Sequence, residues 1–205
     1  FLDGGEAQER RSRVVSPGSE LTADMPPLDW LAPAAIEQVV SEAAPWIRDR
    51  DELHDLLLTM GYLPEKPPKT DEQPVMRPVP NDEWREMFRE LHTERRAVEV
   101  ALADGRYAWV AIERFPTIRL LLPEATLPAG FTLPPGLKQE TESTAARILI
   151  ARGWLEYCGP VTATELAVDL AWPVSTTAAI LEALEGEGAV LRGNYRAPAV
   201  PEGEA

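Results

Sequence analysis

The sequence predicts a mainly α-helical chain with small β-hairpins, of the α+β class, in which three helices followed by one hairpin occur twice. Three observations support this. Apolar residues recur at helical spacing in several separate stretches. Two pairs of turn-forming residues each lie between short runs that suit β-strands. Finally, 20 prolines divide the chain of 205 residues, 44% of them apolar, into short elements with enough apolar content for a core.

The first two helices follow a lead-in. Residues 1–32 show no sustained period, and we expect them to be extended. From Pro33, apolar residues recur at the spacing of one helical face, and Pro45 should end or kink that helix. Asp51 is then placed to open a second helix, which Gly61 should close in a left-handed conformation.

The third helix and a hairpin complete the first repeat. Residues 64–80 contain six prolines and predict an exposed loop, after which Asn81 can cap a helix. The pair Asp104-Gly105 lies between two alternating runs and predicts a β-hairpin. A short helix with Pro116 near its start follows. We therefore predict one module over residues 33–122, and a proline-rich linker over 123–140.

The second repeat is predicted over residues 141–200, with a tail at 201–205. A helix ending at Gly159-Pro160 is followed by Thr162 and Glu165, which form a capping-box pattern. Ser175 is a good cap for the third helix, and Gly193-Asn194 is a plausible hairpin turn. Three helices and a hairpin are the order of a winged helix, a helix-turn-helix variant. The sequence thus predicts two tandem winged-helix modules.

The charge balance limits what such modules can bind. The formal charge is −14, whereas a general nucleic-acid binder carries excess Lys and Arg. Residues 81–122 are the least acidic large region, with seven arginines against eight acids. A free-standing general DNA binder is therefore excluded, although a subordinate module within a larger machine is not.

A winged helix would meet nucleic acid at the start of its third helix and at its wing. In the second module the candidate DNA-binding residues are Ser175, Thr176, Thr177, Arg192, Asn194, Tyr195 and Arg196. In the first module they are Arg85, Arg89 and Arg106. Against base reading stand the acids Glu182, Glu185 and Glu187 on the third helix of the second module. The alternative is that these helices only pack, and that the arginines line a solvated or interdomain face.

No catalytic or metal site is predicted. The sequence has neither the P-loop pattern nor the dinucleotide glycine pattern. His54 and His92 have no second His or Cys at ligand spacing, and Cys158 is interpreted as a small apolar filler. Six tryptophans are present. For three of them, Trp30, Trp109 and Trp172, the alternatives are stacking on bases and packing between modules. We expect no cofactor in this chain.

The ends and the cysteine content suggest a cytoplasmic fragment. The chain begins at Phe1 and lacks a signal-peptide pattern, so we expect a segment of a longer polypeptide. No apolar run approaches the roughly 20 residues that cross a bilayer, so no membrane partner is expected. The single Cys158 fits a reducing compartment.

Two stretches of the sequence carry a family resemblance. The first comprises Phe1-Leu2-Asp3, Glu9-Arg10-Arg11, Leu31-Ala32-Pro33 and the run Asp51-Glu52-Leu53-His54-Asp55-Leu56-Leu57. The second is the run from Arg152 through Gly159-Pro160-Val161-Thr162, with Leu184-Glu185 and Val190-Leu191-Arg192-Gly193. Together they resemble the Lhr, or large helicase-related, family of bacteria. The resemblance covers most of the chain and places it just beyond the motor core, at the start of a region of tandem winged helices.

This resemblance implies part of an ATP-dependent superfamily 2 helicase, a hydrolase that translocates on single-stranded DNA and unwinds DNA or RNA:DNA duplexes in DNA repair. ATP and magnesium would be bound upstream of Phe1, so no catalytic residue carries over. The implied partners are single-stranded or forked DNA, or an RNA:DNA hybrid, and other domains of the same polypeptide, in the nucleoid-associated cytoplasm. Two hypotheses follow: an accessory segment that positions DNA or braces the motor, and a scaffold that docks a partner or other domains. A third hypothesis is a winged-helix transcription regulator, which the acids on the third helix of the second module weaken.

Overall fold

The computed structural model describes residues 32–68, 77–137 and 140–195, and all structural statements refer to these. Its first part contains α1 (Pro33–Ala43), α2 (Arg50–Met60), β1 (Leu63–Pro64), α3 (Asp82–Thr93), β2 (Ala97–Ala101) and β3 (Tyr107–Ala111). A 3-10 turn (Ile112–Arg114) leads into α4 (Phe115–Leu121), followed by α5 (Ser143–Leu155), α6 (Ala163–Leu170) and α7 (Val174–Gly186). The predicted class, mainly α with a small antiparallel β component, is confirmed.

The ends of the helices in the first half follow local chemistry. α1 ends at Ala43, two residues before Pro45. Asp49, two residues before the predicted Asp51, caps α2 by accepting a hydrogen bond from the Glu52 backbone N–H. Gly61 ends α2 with a φ of 81°, a backbone conformation that is strained for any residue with a Cβ atom. The predicted cap of α3 is confirmed, because the side chain of Asn81 accepts from the backbone N–H of the third helical residue.

The predicted hairpin forms β2 and β3, with Val98 opposite Val110 and the turn at Asp104-Gly105. A strand that the sequence did not predict, β1, pairs antiparallel with the other edge of β3, placing Leu63 opposite Trp109. The sheet order is therefore β1-β3-β2. Because β1 has two residues and ends in proline, it carries no alternating pattern that would reveal it.

The second half begins with α5 and continues into two shorter helices. The predicted capping box is confirmed: Thr162 accepts from the Glu165 N–H, and the Glu165 carboxylate accepts from the Thr162 N–H. Ala171, in a left-handed conformation, begins a three-residue turn, and α6 and α7 are bent by 115° across it. The prediction that Ser175 caps α7 was wrong, because Pro173 occupies the cap position and Ser175 lies in the first turn.

The hairpin predicted after α7 is not seen in the part of it that the structure describes. Residues 189–195 contain no strand, and the predicted return strand beyond Tyr195 lies outside the described residues. The predicted lead-in at 1–32, which includes Trp30, lies outside them except for Ala32, and the predicted tail at 201–205 also lies outside them. What remains of the second repeat is thus three helices and an irregular segment along α7.

One buried cluster joins side chains from α2, α3, the sheet and α4 to side chains from α5 and α6. At its centre, Trp109 is 2% exposed and stacks on Phe88 with ring centroids 4.5 Å apart. Trp109 is therefore a core residue with no face open to a base. α5 crosses α2 at Gly153, and the indole N–H of Trp154 donates to the backbone oxygen of Tyr62 at 3.1 Å.

Within the described ranges no single helix is long and apolar enough to cross a membrane, and α6 with α7 meets that test only as a sharply bent pair.

Candidate nucleic-acid interface

The first turn of α7 lies at the surface, beside the 115° corner with α6. Val174 and Ser175 are exposed and Thr176 is half-buried. Thr177 is 0% exposed, and its hydroxyl donates to the backbone oxygen of Pro173 at 3.3 Å. Three of the four side chains of this turn can therefore meet an external ligand, whereas Thr177, one of the predicted contacts, is committed to holding the turn.

The outward face of α7 is narrow and weakly charged. Its exposed residues Ser175, Ala179, Glu182 and Gly186 follow helical spacing. The opposite face packs inward, where α7 is held against α5 by the buried side chain of Ile180 and that of Leu184. A ligand that lies along the outward face meets small side chains and one carboxylate, which suits close approach but offers few hydrogen bonds to base edges.

The segment after α7 folds back along the helix. Arg192 places its guanidinium 2.8 Å from the Glu185 carboxylate and 3.8 Å from that of Glu182, while remaining 66% exposed. Asn194 is exposed, and the Tyr195 hydroxyl donates to the backbone oxygen of Leu191 at 3.0 Å. Arg196 lies outside the described residues. The predicted wing arginine is thus neutralised by the acids of its own third helix.

The arginines on α3 are also engaged in ion pairs. Arg85 lies 2.8 Å from Asp82 and 3.8 Å from Glu65, and Arg89 pairs with Glu86. Each of these arginines keeps its neighbouring acid, so α3 presents no continuous basic stripe.

Arg106 occupies a different place from the exposed wing position that the sequence predicted. Its side chain is 14% exposed, and its Nε donates to the Asp104 carboxylate at 2.6 Å. Its Nη2 donates to two backbone oxygens of α6, that of Val168 at 2.6 Å and that of Asp169 at 3.0 Å. Arg106 therefore ties the hairpin turn to the end of α6 and has no exposed donor face for phosphate.

Tyr62 extends this tie to the next backbone oxygen. Its buried hydroxyl donates to the oxygen of Leu170 at 2.6 Å. Three consecutive carbonyls at the C-terminus of α6 thus accept side-chain donors from the first half of the chain, and the oxygen of Val168 also accepts from the backbone N–H of Ala171. We call Arg106, Tyr62 and the three residues 168–170 the α6 clasp. Sequence reasoning missed it because its donors lie more than 60 residues from their acceptors, and no spacing rule links them.

Burial shifts the pKa values of two groups beside the α6 clasp. Burial raises the pKa of the Asp169 carboxyl, and the guanidinium of Arg77, which pairs with it, opposes the rise. Burial also raises the pKa of the Cys158 thiol to about 12. At neutral pH Cys158 is therefore a partly buried thiol with very little thiolate, in agreement with its interpretation as an apolar filler.

The remaining candidates of the sequence are accounted for by packing. Trp172 is half-buried against the core, and the guanidinium of Arg147 lies 5.8 Å from its ring centroid. His54 is buried, with Nε2 3.1 Å from a carboxylate oxygen of Glu113. Among the residues that the structure describes, no three His, Cys, Asp or Glu side chains are arranged to hold a metal ion.

Comparison with models of protein families and with curated proteins found no match to this chain.

Proposed function

We propose that this chain is a non-catalytic accessory segment of a larger ATP-dependent helicase of the kind its sequence resembles, and that the α6-turn-α7 unit meets nucleic acid. The observation that carries this proposal is the 115° bend across a three-residue turn. Helix-turn-helix units have two helices at about 90–120° joined by a turn of three or four residues. In such units the second helix, here α7, enters the major groove with its N-terminal residues foremost.

The proposal extends to a winged helix in each half. In the first, the hairpin β2–β3 takes the place of the wing. In the second, the segment after α7 runs where a wing would start. The hairpin of the first half does not face outward as a free wing near its turn, because Arg106 holds that turn against α6. The second half is therefore the better candidate for contact with nucleic acid.

The backbone at the start of α7 supports a contact with phosphate. No side chain caps α7 and no acid lies in its first turn. α1 and α5 share these two features, whereas α2, α3 and α6 each have a side-chain cap and at least one acid in the first turn. Uncapped backbone N–H groups and the positive end of the helix dipole together favour an anion. The exposed hydroxyl of Ser175 adds a donor at the same end.

This contact would position nucleic acid without reading its sequence. Phosphate contacts set orientation but carry no base information, and the outward face of α7 has few groups that discriminate bases. A net charge of −14 keeps the affinity of the isolated segment low. The motor upstream, with its ATP and magnesium, would supply the rest of the affinity and all of the hydrolysis. DNA and RNA:DNA forks, in a nucleoid-associated bacterial setting, are the proposed substrates.

The test is fluorescence anisotropy with a labelled forked DNA at about 50 mM salt, where phosphate contacts are strongest. Ser175→Asp places a carboxylate at the start of α7. This is compatible with the helix dipole but repels phosphate, so binding should weaken several-fold. Thr144→Asp is the matched control, because it adds the same charge to the exposed first turn of α5, which is also uncapped and lies outside the α6-turn-α7 unit. It should bind as the wild type does.

A double change of Arg192→Ala and Arg196→Ala should weaken binding and make the dependence on salt shallower, by about one unit of slope for each phosphate that the variant no longer neutralises. The DNA proposal is wrong if the wild type does not bind at this salt concentration. It is also wrong if Ser175→Asp and the double arginine variant both bind like the wild type.

A second candidate function, a scaffold that docks a partner or other domains of the same polypeptide, is favoured by the ion pairs of the arginines. Arg85, Arg89 and Arg192 are each already paired with carboxylates. A phosphate must displace those acids, whereas a protein surface with its own charges can join the existing network. The absence of DNA binding in the titration would favour this second function.

A further inference from the structure

A groove runs beside α7, between the α5–α6 connection and the irregular segment that follows α7. It encloses about 470 Å³. Its apolar floor includes Leu155, Val161, Leu181 and Val190, and the carboxylates of Glu182 and Glu185 stand on its rim. We call this the α7 groove. It lies along the side of the helix rather than at the N-terminal turn to which nucleic acid is assigned above.

We propose that the α7 groove binds a short segment of a partner protein in which an apolar side chain lies next to an arginine or lysine. The negative charge of the rim favours a positively charged partner, because two carboxylates beside an apolar floor attract a cation and repel phosphate. The floor selects an apolar anchor, since the affinity of a protein interface is concentrated in buried apolar contacts surrounded by polar ones.

Arg192 shows how the rim receives a cation. Its guanidinium lies 2.8 Å from Glu185 and 3.8 Å from Glu182, on the side of the groove where Leu191 is 82% exposed. The chain thus already places an arginine beside a leucine at this rim. The same pairing of apolar and cationic side chains is what the partner segment would supply.

The contact made by Arg192 is easily displaced. The side chain is 66% exposed and Glu182 is equally so. Ion pairs that are this accessible contribute little stability, because water and salt screen them and ordering the side chains costs entropy. An incoming guanidinium or ammonium can therefore take its place without unfolding any element. Arg192 acts as a weak internal competitor for the rim.

This inference does not depend on DNA binding, and the two make opposite predictions for one variant. Loss of Arg192 weakens binding to DNA if that side chain meets phosphate. The same loss strengthens binding of a cationic segment, because the competitor for the rim is gone. Binding or failure to bind DNA therefore does not decide whether the cationic segment binds, and the reverse also holds.

The experiment measures binding of a fluorescently labelled synthetic peptide of eight residues, containing two leucines and two arginines, to the full chain. Two matched peptides carry glutamate in place of arginine, or serine in place of leucine. The leucine-arginine peptide should bind, and both matched peptides should bind at least about fivefold more weakly. Arg192→Ala should tighten binding about two- to fivefold, the range expected for removing an exposed ion pair. Glu182→Gln combined with Glu185→Gln should weaken binding at least about fivefold.

The chain offers matched controls at the same end of α7. Arg152 and Glu187 form an exposed ion pair, with 52% and 48% of their side chains accessible, and Glu187 does not line the groove. Arg152→Ala and Glu187→Gln should leave peptide binding unchanged. Circular dichroism of each variant checks that the helices remain folded.

Three results would overturn the proposal. One is equal binding of the three peptides, and another is an unchanged affinity in both Arg192→Ala and the double glutamine variant. The third is a dimer of the chain alone, measured by light scattering, that Arg192→Ala strengthens and the double glutamine variant abolishes. In that case the occupant is a second copy of this chain.

Discussion

Gly153 lies where α5 crosses α2, and replacing it with alanine tests how closely the two halves of the chain pack. A Cβ atom at this position would lie 1.9 Å from the backbone oxygen of Thr59 and 3.2 Å from the Cα of Met60. Both obstacles are backbone atoms of α2, which no change of rotamer can remove. The helices must separate by about 1.5 Å before the Cβ-to-oxygen distance reaches ordinary contact near 3.4 Å.

The expected loss of stability is large for so small a change. Alanine in a helix interior is favoured over glycine by about 1 kcal/mol. Overpacking that forces backbone shifts costs about 1–3 kcal/mol, and the upper end applies because neither helix can yield locally. Separation also strains the hydrogen bond from Trp154 to the Tyr62 oxygen, with a net contribution of about 1 kcal/mol. We expect Gly153→Ala to lower the free energy of unfolding by about 3 kcal/mol.

Urea unfolding followed by tryptophan fluorescence measures this difference, since Trp154 lies directly beside the crossing. The thermal midpoint should fall by about 6–12 °C, given a shift of roughly 2–4 °C per kcal/mol for a chain of this size. Gly186→Ala is the control, because a Cβ there meets no atom within 4 Å. It should be neutral or stabilise by up to about 1 kcal/mol. A Gly153→Ala protein as stable as the wild type would refute the packing of α5 on α2.

Three further predictions concern the α6 clasp, a helix cap and the partly buried thiol of Cys158. Arg106→Ala should lower the free energy of unfolding by about 2–3 kcal/mol, because it removes charged hydrogen bonds to two carbonyls. The control, Arg89→Ala at an exposed ion pair, should change that free energy by less than about 0.5 kcal/mol. Equal effects of the two variants in urea unfolding would contradict the α6 clasp. Thr162→Ala should lower the free energy of unfolding by about 1 kcal/mol through loss of the capping box, and a change within error in the same assay would argue against that cap. The partly buried thiol of Cys158, whose pKa burial raises to about 12, should react with an aromatic disulfide at pH 8 at least about tenfold more slowly in the native protein than in urea. Only the thiolate attacks, and the greater nucleophilicity of a more basic thiolate offsets part of its scarcity; similar rates in both states would contradict the raised pKa.

Local signals in the sequence predicted most of the elements. Pro45, Gly61 and Asn81 each act on the few residues around them, through a fixed φ, a positive φ or a side-chain hydrogen bond. Asp104-Gly105 likewise determines a turn within four residues. The cap of α7 was misplaced because Ser175 and Pro173 both suit the start of a helix, and the choice between them depends on the turn before it.

The candidate site was less predictable than the elements. Of the proposed contacts, Ser175, Thr176 and Asn194 have accessible side chains, whereas Thr177 and Arg106 are held by internal hydrogen bonds. The arginines of α3 and Arg192 were predicted as candidate cations. Their pairing with acids depends on the distances between helix faces and a returning segment, which composition does not reveal.

The sequence by itself thus determined the order of helices, the hairpin, the capping box and the acidic balance of −14, since these depend on neighbours within one or two turns of chain. Only the tertiary structure decided that Trp109 belongs to the core, that α5 meets α2 at Gly153, and that Arg106 grips the end of α6. Each of these depends on residues about 20 to 90 positions apart. Their meeting is set by packing of the whole core, because burial of apolar surface is favourable wherever it occurs and carries no local signature.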